Sequence, residues 1–178
     1  MKIITISREF GSGGRELGKR LAEELGIHCY DHEIIELIAK EHGFDERYVA
    51  NISEKCIEAA YPTTIGHRFA MPPVQIMDQG FQVAAAQQQI IENFAKQGDC
   101  VIVGRCADYA LAGRPGLLRI FCRADLTQRF KRIQQRHNLS LEKAALLVAK
   151  TDRHRRVYYH HHTGKFWGHS SCYDLTVN

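Results

Sequence analysis

The six cysteines of this 178-residue chain, at 29, 56, 100, 106, 122 and 172, include no Cys-x-x-Cys pair. That spacing offers neither a zinc knuckle nor a redox dithiol, and most of these residues sit in or beside apolar strand-like runs. They read as buried thiols rather than metal ligands or disulfides. Long apolar runs are missing too: none approaches the ~20 residues of a membrane-spanning helix. The chain enters a strand-like segment almost at once, without a charged leader, so a cytoplasmic protein with no membrane partner is expected. Prolines number only 4, and three of them fall between residues 62 and 73. The formal charge of +4 is modest. No helix-turn-helix, zinc-finger or RNA-binding signature accompanies it, so no nucleic-acid partner is expected. What is present suits one compact core: 44% of residues are hydrophobic and 25% charged, and residues 1–178 read as a single domain.

The most informative stretch is the first. Ile3-Ile4-Thr5-Ile6-Ser7 is a β-branched run of strand length, followed by Arg8-Glu9-Phe10-Gly11-Ser12-Gly13-Gly14-Arg15-Glu16 and then an amphipathic segment to Leu25. Strand, glycine turn and helix in that order place backbone amides where the positive end of a helix dipole begins, which is a phosphate-binding corner. Two registers of a phosphate loop compete. Gly13 to Lys19 fits G-x-x-x-x-G-K, but Arg20 stands where Ser or Thr is needed. Starting the loop directly after the strand, at Arg8, puts Gly14 at the lysine position and Arg15 or Glu16 at the hydroxyl position. The second register is adopted here, with a loop that lacks both groups.

Further on, strands are predicted at Lys2–Ser7, Ile27–Tyr30, Cys100–Gly104, Leu117–Arg123 and near Tyr173–Val177. Helices are predicted at Arg15–Leu25, His32–His42, Val74–Lys96, Leu126–His137 and Ser140–His162. This alternation implies an α/β fold with a mostly parallel sheet and helices on both faces, ligands binding beyond the carboxyl ends of the strands. The loop, Asp31 and Arg105 all follow strands and converge on that edge. The stretch Cys56 to Pro73 shows little periodicity and reads as a loop, either a flap at about 57–75 over a substrate or a surface connection. Basic residues crowd the last third, including Arg129, Arg132, Arg136, Arg153, Arg155 and Arg156. An anionic ligand would feel their field.

Ile6 to Glu16, together with Val101-Ile102-Val103-Gly104-Arg105, resembles the cytidylate kinase-like family, a divergent branch of the P-loop nucleoside monophosphate kinases. The resemblance implies a three-layer P-loop NTPase fold with a helical lid at about 129–168. It also implies magnesium-assisted transfer of the γ-phosphate of ATP to a nucleoside monophosphate, CMP or dCMP by expectation. Asp152 and Arg155 match the family's Asp-x-x-Arg of the lid, and Arg129 and Arg132 match arginines on the helix leading into it. Arg105 resembles the arginine that holds the acceptor phosphate. Members of the family normally continue into a closing helix after the strand near Tyr173–Val177; if the chain is cut short there, an uncovered apolar face is expected to lower stability or to drive association, for example as a homodimer.

Phosphoryl transfer needs cations and backbone donors around the moving oxygens. The expected set is Gly11, Ser12, Gly13 and Gly14 for the donor phosphates, Arg8 or Arg15 as local cation, and Arg153, Arg155 and Arg156 closing from the lid. Asp31, Arg105, Arg129 and Arg132 are expected at the substrate. Asp31 or Asp108 is the candidate to reach magnesium through water. Each has a plainer alternative: a tight turn for the loop, a solvated helix face for the lid arginines, an N-cap for Asp31. Tyr158 to His162 does not read as a zinc site, because consecutive helical residues point about 100° apart. Trp167 reads as an aromatic plug. A degenerate nucleotide-binding protein and a kinase for a non-nucleotide acceptor are the other functions the sequence allows.

Overall fold

A computed structural model describes residues 1–43, 45–47, 49, 63–65, 68–70 and 74–178. The chain runs β1 (Ile3–Arg8), α1 (Gly14–Leu25), β2 (His28–Tyr30) and α2 (Glu33–His42), then β3 (Thr63–Ile65), β4 (Arg68–Ala70) and α3 (Val74–Gln97). It continues through β5 (Cys100–Val103), α4 (Ala107–Ala110), β6 (Leu117–Cys122), α5 (Leu126–His137) and α6 (Leu141–Thr163). A 3₁₀ turn (Ser170–Cys172) and β7 (Leu175–Val177) complete the series.

Five strands form one sheet in the order β2-β5-β1-β6-β7, every pair parallel. Side chains alternate across it. Ile3, Cys100 and Ile102 pack under α2 and α3, while Ile4, Ile6, Val101 and Val103 pack under α1. Both faces are covered, which is why these strands read as continuous apolar runs. Parallel pairing also brings every carboxyl end to the same edge, and β1, the central strand, delivers its glycine loop there. Gly18 lies inside α1, where a Cβ would come within 2.8 Å of Val103 Cγ2. Its role is close helix–sheet packing, so the loop register that used Gly18 and Lys19 is excluded by the fold.

Local chemistry explains the two helices beyond β6. The Asp125 carboxylate accepts from the amides of Thr127 and Gln128 at 2.8 and 3.3 Å, starting α5, and Ser140 Oγ accepts from the Lys143 amide at 3.3 Å, starting α6. Ile133, Ala144 and Val148 bury the seam between them, and Phe10 from the glycine loop packs against that seam. The loop is thus bolted to the helical pair by an apolar anchor.

The reading of Cys56 to Pro73 as pure loop needs correction where the structure describes it. Thr63–Ile65 and Arg68–Ala70 pair antiparallel, Thr63 opposite Ala70. Strands of three residues are too short to declare a period, and the neighbouring Pro and Gly pointed to loop. The rest of the expected flap lies outside the described residues. Trp167 packs edge-on to Phe121 with ring centroids 5.3 Å apart. Among the described residues no helix is long and apolar enough to cross a membrane.

Candidate active site

The loop leaves β1 and turns at Gly11 and Gly13, with φ of 83° and 89°. Both lie in the left-handed region that favours glycine. Gly13 is the N-cap of α1 and supplies no capping side chain. The first amides of α1 therefore have no carbonyl a turn behind them and point out of the helix end. The Ser12 hydroxyl donates to the Glu9 carbonyl at 2.9 Å and closes the turn.

Behind the loop sits a buried ionic clamp. Arg129 is only 3% exposed; its Nε donates to the Phe10 carbonyl at 2.8 Å, and its two terminal nitrogens meet Asp152 and, at 3.2 Å, Glu9. Asp152 also accepts from the Phe10 amide at 2.8 Å, and Glu9 accepts from the Ala124 amide at 3.1 Å. Arg129 was expected at the substrate. The structure turns it instead onto the back of the loop, where every visible contact holds loop backbone or a carboxylate. Asp152 is likewise committed to this clamp.

In front of the loop is a cleft of about 870 Å³. Arg8, Arg15, Arg105, Arg132, Arg136 and Arg155 line it together with Gly11, Gly13 and Gly14, and among the described residues its carboxylates are Glu9, Glu16, Glu23 and Asp31. The structure therefore brings together the loop, Asp31, Arg105, Arg132 and Arg155 from five separate parts of the sequence. Arg132 lies over the loop: a Cβ on Gly13 would come within 2.4 Å of its Nη1. Arg155 Nη1 donates to the Arg8 carbonyl at 3.0 Å, and its guanidinium stands 5.5 Å from the centre of the Phe10 ring.

A smaller recess of about 50 Å³ opens at the ends of β1 and β5. Arg8, Arg105 and Arg155 line it with Ser7, Tyr158, Tyr159 and Trp167, and among the described residues no carboxylate does. Gly104, Arg105 and Cys106 take φ of 77°, 59° and 53° in succession. Two non-glycine residues in that region are strained, and such strain gathers at sites where a side chain must be aimed. The Arg105 carbonyl accepts from the buried Gln87 amide at 3.0 Å, which holds the turn.

Arg153 and Arg156 are exposed on α6 and line neither space. Asp152, Arg155 and Tyr159 recur at helical spacing on the inward face, so the residues between them rotate to solvent. Asp31 is not the N-cap of α2, a place His32 takes without a capping bond. It forms an ion pair with Arg15 across the cleft mouth. Asp108 is 3% exposed and faces the core, accepting from the Tyr159 hydroxyl at 2.6 Å and from Ser7 Oγ at 3.4 Å. Burial pushes its carboxyl above the usual carboxylate range, and the two hydroxyl bonds oppose that shift in part. Tyr159 is a site residue the sequence reading missed; it lies seven residues after Asp152, on the same helical face.

Comparison with known proteins now bears on this geometry. The family model described as the cytidylate kinase-like family matches residues 3–178. This chain belongs to the cytidylate kinase-like family. The cytidylate kinase of Pyrococcus horikoshii is 27% identical over 177 residues, covering 99% of this chain and 79% of that protein. That of Methanopyrus kandleri is 25% identical over 185 residues, covering 99% and 83%. Among solved structures, an uncharacterized protein from Eubacterium ventriosum aligns with a TM-score of 0.73 at 27% identity, over 99% of this chain and 87% of that one. Shikimate kinase from Bacteroides thetaiotaomicron aligns with a TM-score of 0.56 at 12% identity, covering 99% and 86%, a likeness of fold alone. The fold is that of the P-loop kinases, and family membership supports a kinase.

For a cytidylate kinase-like protein, the magnesium implied by the family finds no ready ligand set among the described residues. Asp31 is paired with Arg15, Glu9 with Arg129 and Glu16 with Arg20, and Asp108 faces the core. Among the described residues no group of three or more His, Cys, Asp or Glu could hold a metal. A divalent ion enters this reading only as part of the nucleotide substrate's own chelate, and no step below is routed through it.

The histidine run beside the recess carries a prediction of its own. Burial, with His161 adding to it, lowers His162 to about 4 from an ordinary value of 6.5. The folded state thus prefers the neutral ring. Its contribution to stability is complete above 6.5 and is lost as pH falls through that value toward about 4. Thermal melts across this window should show His162→Gln losing less Tm on acidification than the parent; parallel curves would contradict the assignment.

Proposed function

We propose that this chain is a nucleotide-dependent phosphotransferase that moves the γ-phosphate of ATP to a nucleoside monophosphate, CMP or dCMP in preference. The observation that carries the reading is the convergence of Arg8, Arg105 and Arg155 on one small recess, beside a glycine loop at the carboxyl edge of a parallel sheet. Several guanidiniums around one small space suit a phosphate, whose oxygens each take a forked pair of donors.

In this reading the amides at Gly13, Gly14 and Arg15 receive the donor phosphates, with Arg132 over them. Arg105 grips the acceptor phosphate, and Arg155 spans both groups from the lid helix. An oxygen of the monophosphate attacks the γ-phosphorus in line, the bond to the β–γ bridging oxygen breaks, and ADP leaves. The protein supplies position and positive charge. The lid is proposed at about 129–168, within a single P-loop kinase-like unit. A second reading, binding without transfer, is favoured by one fact: Gly14 and Arg15 stand where the phosphate lysine and the hydroxyl belong.

Isothermal titration with ATP and magnesium tests the donor site. Gly13→Val places a β-branched side chain at φ 89°, against Arg132. It should abolish binding while the parent binds; a parent that does not bind at millimolar ATP would contradict both readings.

A further inference from the structure

We propose that Arg8, at the exit of β1, is the phosphate cation that replaces the loop lysine, and that its presence makes a lysine at position 14 sterically impossible. The inference rests on the kinase reading above and names the group that completes its donor site.

The argument begins with why position 14 is glycine. Unlike Gly11 and Gly13, Gly14 does not have positive φ, so its backbone would accept any side chain. Space forbids one. A Cβ there would come within 2.4 Å of Arg8 Cβ, 3.0 Å of Arg8 Cγ and 3.2 Å of Cys122 Cβ. The two Cβ atoms are fixed by the backbones of β1 and β6, and they cannot swing aside as the tip of a long side chain can. Position 14 is empty because position 8 is full.

The other end of the same arginine is equally constrained. A Cβ on Gly104 would come within 1.8 Å of Arg8 Nη1 and 2.8 Å of its Cζ, so the guanidinium occupies the space beside Gly104, at the end of β5, that a side chain there would fill. From there it lines both the recess and the larger cleft. Gly14 accommodates the stem and Gly104 the head. The Arg8 carbonyl receives Arg155 Nη1, which ties the lid helix to the same residue.

Three other arginines near the loop are placed differently. Arg15 is paired with Asp31 across the cleft mouth. Arg129 is buried in the clamp. Arg132 reaches Gly13 from α5, the side from which a lid cation comes. In a standard loop a small residue at the strand exit makes room for a lysine on the helix; here the large cation is on the strand and the small residue on the helix. One positive charge is kept near the phosphates, and its anchor moves from α1 to the central strand.

The test is a double-mutant cycle on the full chain, with ATP and magnesium as the probe and thermal melts in parallel. Arg8→Gly should weaken ATP binding ~10-fold or more, and Arg8→Lys, which keeps the charge on a similar stem, should lose less. Gly14→Lys alone should lower Tm and lose binding. The double variant Arg8→Gly/Gly14→Lys should melt well above Gly14→Lys and regain ATP affinity beyond Arg8→Gly. Unchanged ATP affinity in Arg8→Gly would overturn the proposal and leave the kinase reading standing. Gly14→Lys with the parent's Tm would overturn the steric exclusion. A parent that binds no ATP would remove the kinase reading and the phosphate role of Arg8 together, while the coupling in Tm still reports on the packing.

Discussion

Arg129→Ala should cost about 3–5 kcal/mol of stability, the range for removing one partner of a buried ion pair. At this chain length that corresponds to a fall in Tm of roughly 10 °C. Arg129 is 3% exposed, and its removal leaves Asp152, 9% exposed, without its counter-charge and the Phe10 carbonyl without its donor. Replacing both partners by apolar residues, as in Arg129→Met/Asp152→Leu, removes the unpaired Asp152 charge but leaves Glu9 and the Phe10 amide and carbonyl without partners, so it should recover only part of that loss. Nucleotide binding should weaken in the single variant, since the clamp fixes Glu9 and Phe10 at the start of the phosphate loop. Chemical denaturation of the three proteins checks this. A substrate-gripping arginine would behave differently, with a raised KM at unchanged stability, and that result would contradict the clamp.

Arg105→Ala should reduce kcat/KM for the monophosphate by about 10²–10³, the effect of removing one positioned donor to a phosphate or oxyanion. ATP affinity should stay near that of the parent, because Arg105 is assigned to the acceptor. Arg105→Gly separates chemistry from folding. At φ 59° a glycine carries no steric penalty, so this variant should match the alanine variant in lost turnover while its Tm is no lower than that of Arg105→Ala. Steady-state kinetics with both substrates varied, alongside melts, would decide. Loss of ATP binding in either variant would move Arg105 from the acceptor to the donor side.

The parts of this molecule legible in its sequence were those set by local chemistry. The β-branched run of β1, the glycines after it and the helix to Leu25 declared the strand–turn–helix corner. The span of α5, Leu126–His137, was readable in full, and Ser140 marked the start of α6. Side-chain partnerships were not legible, because they depend on which helix face the fold covers. Arg129 belongs to a helix rich in charge that reads as solvated, yet the loop and α6 close over it. Asp31 had the position of a cap and instead found Arg15 across the cleft. Asp108 illustrates a failure of phase. One helical turn from Arg105 would have set the two side by side, but Arg105 and Cys106 are left-handed and α4 begins only at Ala107. The turn rotates Asp108 into the core. The exchange between positions 8 and 14 was half visible: the missing lysine could be read, while the reason for it needed the distance between the two residues.

The most direct test of the central claim is ADP release by the full chain with ATP and magnesium, measured in turn with CMP, dCMP, UMP and AMP and with no acceptor. The account predicts release that depends on a monophosphate, is highest with CMP or dCMP, and disappears in Gly13→Val. Saturable ATP binding with no release from any of the four would contradict transfer to a nucleoside monophosphate.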